Sequence, residues 1–191
     1  MQLVSALIFG VLFAKQVGSD LPGAWLDAAR DWSFSTADLR RGPSVDPNPQ
    51  CDRAVRGPQS VSERLLAAKG WKLSSPPVSR RGRAGLVEVV QGFRQHDGMC
   101  RPLNFQAFVF LNERPIATLS PRLMNSREDG ALSRLSIAES GEITAIFLRY
   151  SRTDPLCCPS RESSAVYSIV QQAGNYKLKL LRVVTKPRAS R

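Results

Sequence analysis

A ten-residue pattern occurs twice, 57 positions apart: Phe93-x-x-x-Asp97-x-Met99-Cys100-x-Pro102 and Tyr150-x-x-x-Asp154-x-Leu156-Cys157-x-Pro159. Each copy follows a strand-like segment and precedes an apolar one, FQAFVF after the first and SAVYSIV after the second. A third segment then completes each, PIATL and YKLKLL. The pattern predicts two units of strand, cysteine loop, strand, turn and strand, at about 86–119 and 143–180. Within each unit the aromatic closes a strand into the core. The aspartate takes loop amides in an Asx-turn, and proline fixes φ and stops the ladder. Two copies are too few to stack as a solenoid, so the repeat predicts a pseudo-twofold within one sheet assembly.

The surrounding text agrees with that plan. Short β-branched and aromatic runs at 86–93, 105–112, 115–119, 131–138, 142–150, 165–171 and 176–185 are separated by polar or glycine-containing turns, the signature of a strand meander. One helix stands out at 60–69. Ser60-Val-Ser-Glu63 has capping-box spacing, with a hydroxyl for the third helical amide and a carboxylate for the amide of the cap; Gly70 terminates it. A strand begins at 71–73, and 74–84 is a Pro/Arg/Gly loop. The expected class is mainly β, bordering on α+β: an antiparallel sheet or sandwich of about seven strands with one short N-terminal helix.

At 191 residues a single domain is expected. Residues 3–14 form an uncharged apolar run of twelve, too short for a bilayer but of the length of a signal-peptide core. Val17-Gly18-Ser19 supplies small residues before Asp20, so residues 1–19 are expected to be a signal peptide. Residues 20–59 are a short helix, with Trp25, Leu26 and Ala29 on one face, and an extended Pro-rich arm. The β-rich domain is expected at 60–185 and a basic tail at 186–191. The first cysteine is Cys51, well past the apolar run, so no lipid-attachment cysteine and no transmembrane span are expected.

Export gives the four cysteines a meaning, since an oxidising compartment pairs them. If the two loops are equivalent, Cys100 pairs with Cys157 and Cys51 pairs with Cys158. The arrangement Cys51–Cys157 with Cys100–Cys158 is nearly as good. Cys157–Cys158 is the least favoured, because adjacent residues bridge only with backbone strain.

Charge is unevenly distributed. The formal net charge is +11, yet residues 1–52 carry four bases and six aspartates. The other 23 bases, against ten acids, lie beyond residue 52, and the last sixteen residues hold six bases and no acid. A basic surface concentrates polyanions of any chemistry. Candidate polyanion contacts are Arg80, Arg81 and Arg83 in the loop, and Lys177 and Lys179 on the last strand. Leu178 and Leu180 alternate with those lysines and point inward.

Several chemistries find no support. With a single histidine, His96, a multi-histidine metal or catalytic site is excluded. His96 near Cys100 lacks a separate oxyanion site for nucleophilic catalysis. The cysteine spacings suit neither zinc nor a Cys-x-x-Cys redox pair, and no glycine loop for phosphate is present. Asp97 and Asp154 are a carboxylate pair of the kind a glycosidase needs, though both occupy turn-capping positions. The 126–130 segment is polar enough for a cation but reads as a loop. No catalytic residue, metal ligand or cofactor is assigned.

The runs Asp97-Gly98-Met99-Cys100-Arg101-Pro102, Ser126-Arg127-x-Asp129-Gly130-Ala131-Leu132 and Asp154-Pro155-Leu156-Cys157-Cys158-Pro159-Ser160 resemble the LppP/LprE-type bacterial lipoprotein family. Ala67-Ala68-Lys69-Gly70-Trp71 and Asn48-Pro49-Gln50-Cys51 are similar to its upstream half. The resemblance implies an exported, cell-envelope-associated domain and brings no catalytic site. The expected function is therefore a non-enzymatic, disulfide-stapled binding or structural domain. Its expected partner is an anionic envelope component, acidic glycan or lipid head group, or another envelope protein. The alternatives are a carbohydrate-active hydrolase using the Asp pair and, less favoured, a nucleic-acid-binding protein.

Overall fold

The computed structural model describes Leu26 and residues 49–75, 79–81 and 87–188. The expected signal peptide and most of the arm lie outside the described residues, as do Arg83 and the last three residues. Among the described residues, a 3₁₀ turn at Pro49–Ala54 leads to twelve strands, one α-helix and, where a loop was expected, a π-helical turn at Ser126–Gly130. The strands are β1 (Val55–Arg56), β2 (Lys72–Ser74), β3 (Ser79–Arg81), β4 (Val87–Phe93), β5 (Gln95–His96) and β6 (Pro102–Leu103). They continue with β7 (Gln106–Leu111), β8 (Arg114–Thr118), β9 (Ala131–Ile137), β10 (Ile143–Arg149), β11 (Arg161–Gln172) and β12 (Asn175–Pro187); helix α1 is Val61–Ala68.

The fold is mainly β and antiparallel, as expected. One sheet runs β1-β2-β4-β7-β8, with β3 also paired to β4; the second is a meander in the order β12-β11-β10-β9. Each expected strand, including the one beginning at 71–73, is present within a few residues, and the four additions, β1, β3, β5 and β6, are two- or three-residue pieces too short for a periodicity to show. One of them corrects a boundary, since Val55 and Arg56 of the arm pair with Ser74 and Leu73. At the other end β12 extends to Pro187, so the tail begins inside a strand.

The sheets face each other across a core of Val89, Phe93, Phe105, Val109, Leu132, Ile143, Phe147, Tyr167, Leu178 and their neighbours. Leu26 is buried in it. In the second sheet the strands alternate, as a sheet solvated on one face must: Ile143, Ala145 and Phe147 point inward while Thr144, Ile146 and Leu148 are half-exposed. In the first sheet the central strands β4 and β7 are buried on both faces. Val90, Phe108 and Phe110 turn away from the sandwich and pack with Leu66, Trp71 and Leu73 beneath α1. Trp71 meets Phe108 edge to face at 4.8 Å, and the Arg94 guanidinium lies 4.6 Å above its ring. A Cβ on Gly92 would come within 3.1 Å of the Trp71 ring, so this close approach requires glycine.

The two repeat units correspond in detail. Strands β4-β7-β8 and β10-β11-β12 are both three-strand meanders. Both final hairpins turn through two residues with positive φ, Asn112-Glu113 and Ala173-Gly174, the conformation that matches strand twist. The register slips between Val109 and Phe110 in one unit and between Val166 and Tyr167 in the other, again 57 residues apart. One detail differs from expectation. Phe93 is fully buried in the core, whereas Tyr150 sits half-buried in the loop beyond β10.

The capping box forms with an addition. The Ser60 hydroxyl accepts from the Glu63 amide at 3.2 Å, and Glu63 accepts from the Gln59 amide at 2.6 Å. Arg56 of β1 grips the same carboxylate through both terminal nitrogens. Arg56 and, secondarily, the Gln59 and Ser60 amides outweigh burial and hold Glu63 at about 2, below its ordinary 4.5. The Glu63 residue is only 3% exposed, so ionisation is coupled to folding. A depressed carboxylate stabilises above its unfolded pKa and loses that contribution as pH falls through the folded one. Glu63→Gln is expected to lower stability at neutral pH by about 2–3 kcal/mol. Urea titrations of wild type and variant should converge as pH falls from 4.5 towards about 2.

Candidate functional site: the paired cysteine loops

Both cysteine loops emerge at the same end of the sandwich, after β4 and after β10. In the first, β5 and β6 form a small ribbon, with Asp97 and Arg101 at the tip. Asp97 Oδ1 accepts from the Met99 and Arg101 amides at 2.9 and 3.0 Å, and its carbonyl accepts from the Cys100 amide at 2.9 Å. In the second loop, Asp154 Oδ2 accepts from the Ser151 and Ser160 amides at 2.7 and 2.8 Å. Asp97 makes the expected Asx-turn with the Met99 amide; Asp154 also takes loop amides, but three residues back and six residues on, so its bonds clasp the two ends of the loop and do not form an Asx-turn.

The same bonds bear on the carboxylate-pair alternative. Burial pushes Asp97 upward, but Arg101 and the loop amides more than reverse this and hold it below its ordinary value. Asp154 is lowered chiefly by the Ser151 amide. A glycosidase acid needs a raised pKa, and here both carboxylates are occupied by their own loops. His96 packs against the Phe93 ring at 4.3 Å and is pushed down by burial and by Lys72. Asp129 of the 126–130 turn is occupied too, by Arg122 at 3.0 Å and the Asn125 amide at 2.9 Å. No cluster of His, Cys, Asp and Glu suited to a metal occurs among the described residues.

The disulfides overturn the expected pairing. Cys51 is bonded to Cys100, with Cα atoms 5.2 Å apart, and Cys157 to Cys158. The β1–β2 pairing explains the first bond: it fixes the arm alongside the first sheet, and the preceding 3₁₀ turn delivers Cys51 to the first loop. The expected Cys100–Cys157 bridge between loops is replaced by Arg101. Its guanidinium donates to Asp97 Oδ2 at 2.6 Å, Tyr150 OH at 2.9 Å and the Leu156 carbonyl at 2.6 Å. Arg101 and Arg127 both lie over the Tyr150 ring, at 5.4 and 5.2 Å. Arg127 also reaches the Asp154 carbonyl at 3.3 Å, and Arg161 the Tyr150 carbonyl at 3.2 Å.

This arginine junction was missed in the sequence, where arginines resemble any solvated surface. A signal was nevertheless present. Arg101 occupies the repeat position that is Cys158 in the second copy, the position where one loop bridges outward and the other closes on itself.

The candidate polyanion contacts do not form one set. Arg80 and Arg81 lie in β3, paired with Val89 and Glu88, at the seam beside β9; Arg83 lies outside the described residues. Lys177 and Lys179 lie on β12, at the opposite seam beside β8. There the alternation is as expected: Leu178 and Leu180 are buried, Lys179 is exposed and Lys177 half-exposed, its Nζ 2.9 Å from Gln172 Oε1. Exposed Arg182, Lys186 and Arg188 continue the basic strand. Its far end reaches the second cysteine loop, where the Arg188 amide donates to the Ser160 carbonyl at 2.8 Å. No family model, curated protein or solved structure matches the chain.

The two disulfides differ in what they stabilise. Cys51–Cys100 spans 49 positions, a closure worth about 4 kcal/mol in the chain-entropy model; Cys157–Cys158 closes no chain loop. Replacing Cys51 and Cys100 by alanine should lower stability by about 3–4 kcal/mol, and replacing Cys157 and Cys158 by less than about 1 kcal/mol. Non-reducing peptide mapping should join the Cys51 and Cys100 peptides and leave Cys157 and Cys158 within one. A Cys100–Cys157 crosslink would contradict this arrangement.

Proposed function

We propose that this chain is an exported, non-enzymatic domain of the cell envelope that binds an anionic partner through the basic outer face of β12. The observation that carries this reading is the alternation on that strand, which buries Leu178 and Leu180 and turns Lys177 and Lys179 outward, with Arg182 and Lys186 further along. Among the described residues, Glu162 alone forms an ion pair with this row, to Lys186 at 3.7 Å. The disulfides are compatible with an oxidising compartment, and no helix among the described residues is long and apolar enough to cross a membrane. The resemblance to the LppP/LprE-type lipoproteins supports the same location. Acidic glycan, lipid head groups and acidic envelope proteins all meet the electrostatic requirement. Nucleic acid is less well served, because Tyr176 is the only aromatic in the row and single-strand binding relies on stacking platforms.

N-terminal sequencing of the mature protein should find a terminus near Asp20. The protein should be retained on a sulfonated matrix and released as ionic strength screens exposed charges beyond about 10 Å at 0.1 M salt. Substituting Lys177, Lys179, Arg182 and Lys186 by glutamine should move elution to clearly lower salt without changing the melting temperature. Retention independent of salt, or of these four substitutions, would contradict the reading.

A further inference from the structure

The geometry points to the paired cysteine loops as a two-pronged wedge that enters the interface of an anionic phospholipid bilayer. This inference rests on the proposed anionic partner and narrows it to a membrane surface. At the tips, Met99 is 49% and Leu156 54% exposed; they occupy matching repeat positions. Arg101 holds them together, because it stands two residues from Met99 and donates to the Leu156 carbonyl. The two apolar side chains are thus presented as one preformed unit.

Part of the backbone beneath them is already paired within the loops. Interfacial insertion is costly for unpaired peptide groups. In the first tip the amides of Met99, Cys100 and Arg101 are all taken by Asp97. In the second, the Ser151 and Ser160 amides are taken by Asp154, and the Asp154 and Cys158 amides by carbonyls of the same loop. Pro155 and Pro159 carry no N–H, and the Leu156 carbonyl accepts from both Arg101 and Tyr150. The exposed Cys157–Cys158 disulfide has no S–H donor left.

Charge selects the surface. Arg152 and Arg188 are exposed at this end, Arg127 and Arg161 are half-exposed, and the β12 row terminates here at Lys186. Asp97, Asp154 and Glu162 are engaged by loop amides or by basic groups. Exposed apolar side chains ringed by cations match a bilayer interface carrying anionic head groups.

The test uses the mature full chain and sedimentation with two kinds of vesicle, phosphatidylcholine alone and phosphatidylcholine mixed with phosphatidylglycerol. Binding is expected to the mixed vesicles only. Met99→Ala and Leu156→Ala should each weaken it about tenfold, and the uncharged Met99→Ser/Leu156→Ser double variant by about a hundredfold or more. The double variant should keep the wild-type melting temperature and elution from the sulfonated matrix. Vesicle binding unchanged by the double variant overturns the wedge. So does salt-sensitive retention on the matrix without vesicle binding, which leaves the basic strand with a glycan or protein partner. Absence of both kinds of binding overturns the wedge and the proposed function together.

Discussion

The double-sided burial of β4 and β7 is the constraint on which the rest of the molecule depends. Strands covered by apolar layers on both faces must have something to pack against on each. The second sheet supplies one cover through Phe147 and Tyr167; α1 and Trp71 supply the other. That requirement explains why an eight-residue helix, too short to persist alone in water, has a full capping arrangement and a buried ion pair. It also explains the glycine at position 92, where Trp71 lies against the strand. Any change that lifts α1 exposes Phe108 and Phe110, so the cap, the ion pair and the aromatic layer act as a unit.

The major strands were legible because their alternation or β-branched content persists over five or more residues, as in Ile143–Arg149. The sandwich core was legible at Phe93, which ends a strand and points inward. Tyr150 carries the same motif position but ends outside the core, because β10 stops at Arg149 and the chain turns away under the arginines. The disulfide arrangement was not legible. Repeat symmetry alone suggested a bond between equivalent cysteines, but β1, two residues long and without periodicity, is what brings Cys51 to Cys100. Likewise Lys177 and Lys179 were recognisable from alternation on one strand, whereas their separation from Arg80 and Arg81 depends on strand order, which spacing does not encode.

The cysteine loops divide their labour with the sheets. Stability resides in the long-range Cys51–Cys100 bond and the core. The exposed surface at the tips rests on short-range bonds made by Asp97 and Asp154 within their own loops. A carboxylate that accepts two amides fixes a loop without requiring partners elsewhere, so the tip side chains are free of structural duties. Met99 and Leu156 are correspondingly among the most exposed large apolar residues of those described.

Arg101 reaches out of one loop to hold the other, while Cys158 at the matching position turns back on its neighbour. The link between the two cysteine loops is one-sided, with Arg101 as donor and the Tyr150 hydroxyl and Leu156 carbonyl as acceptors. Two arginines at these positions would compete for one set of acceptors and bring like charges together. The two halves of the repeat are therefore not interchangeable at this point: one supplies the linking side chain, and the other supplies the acceptors and closes its own cysteine locally.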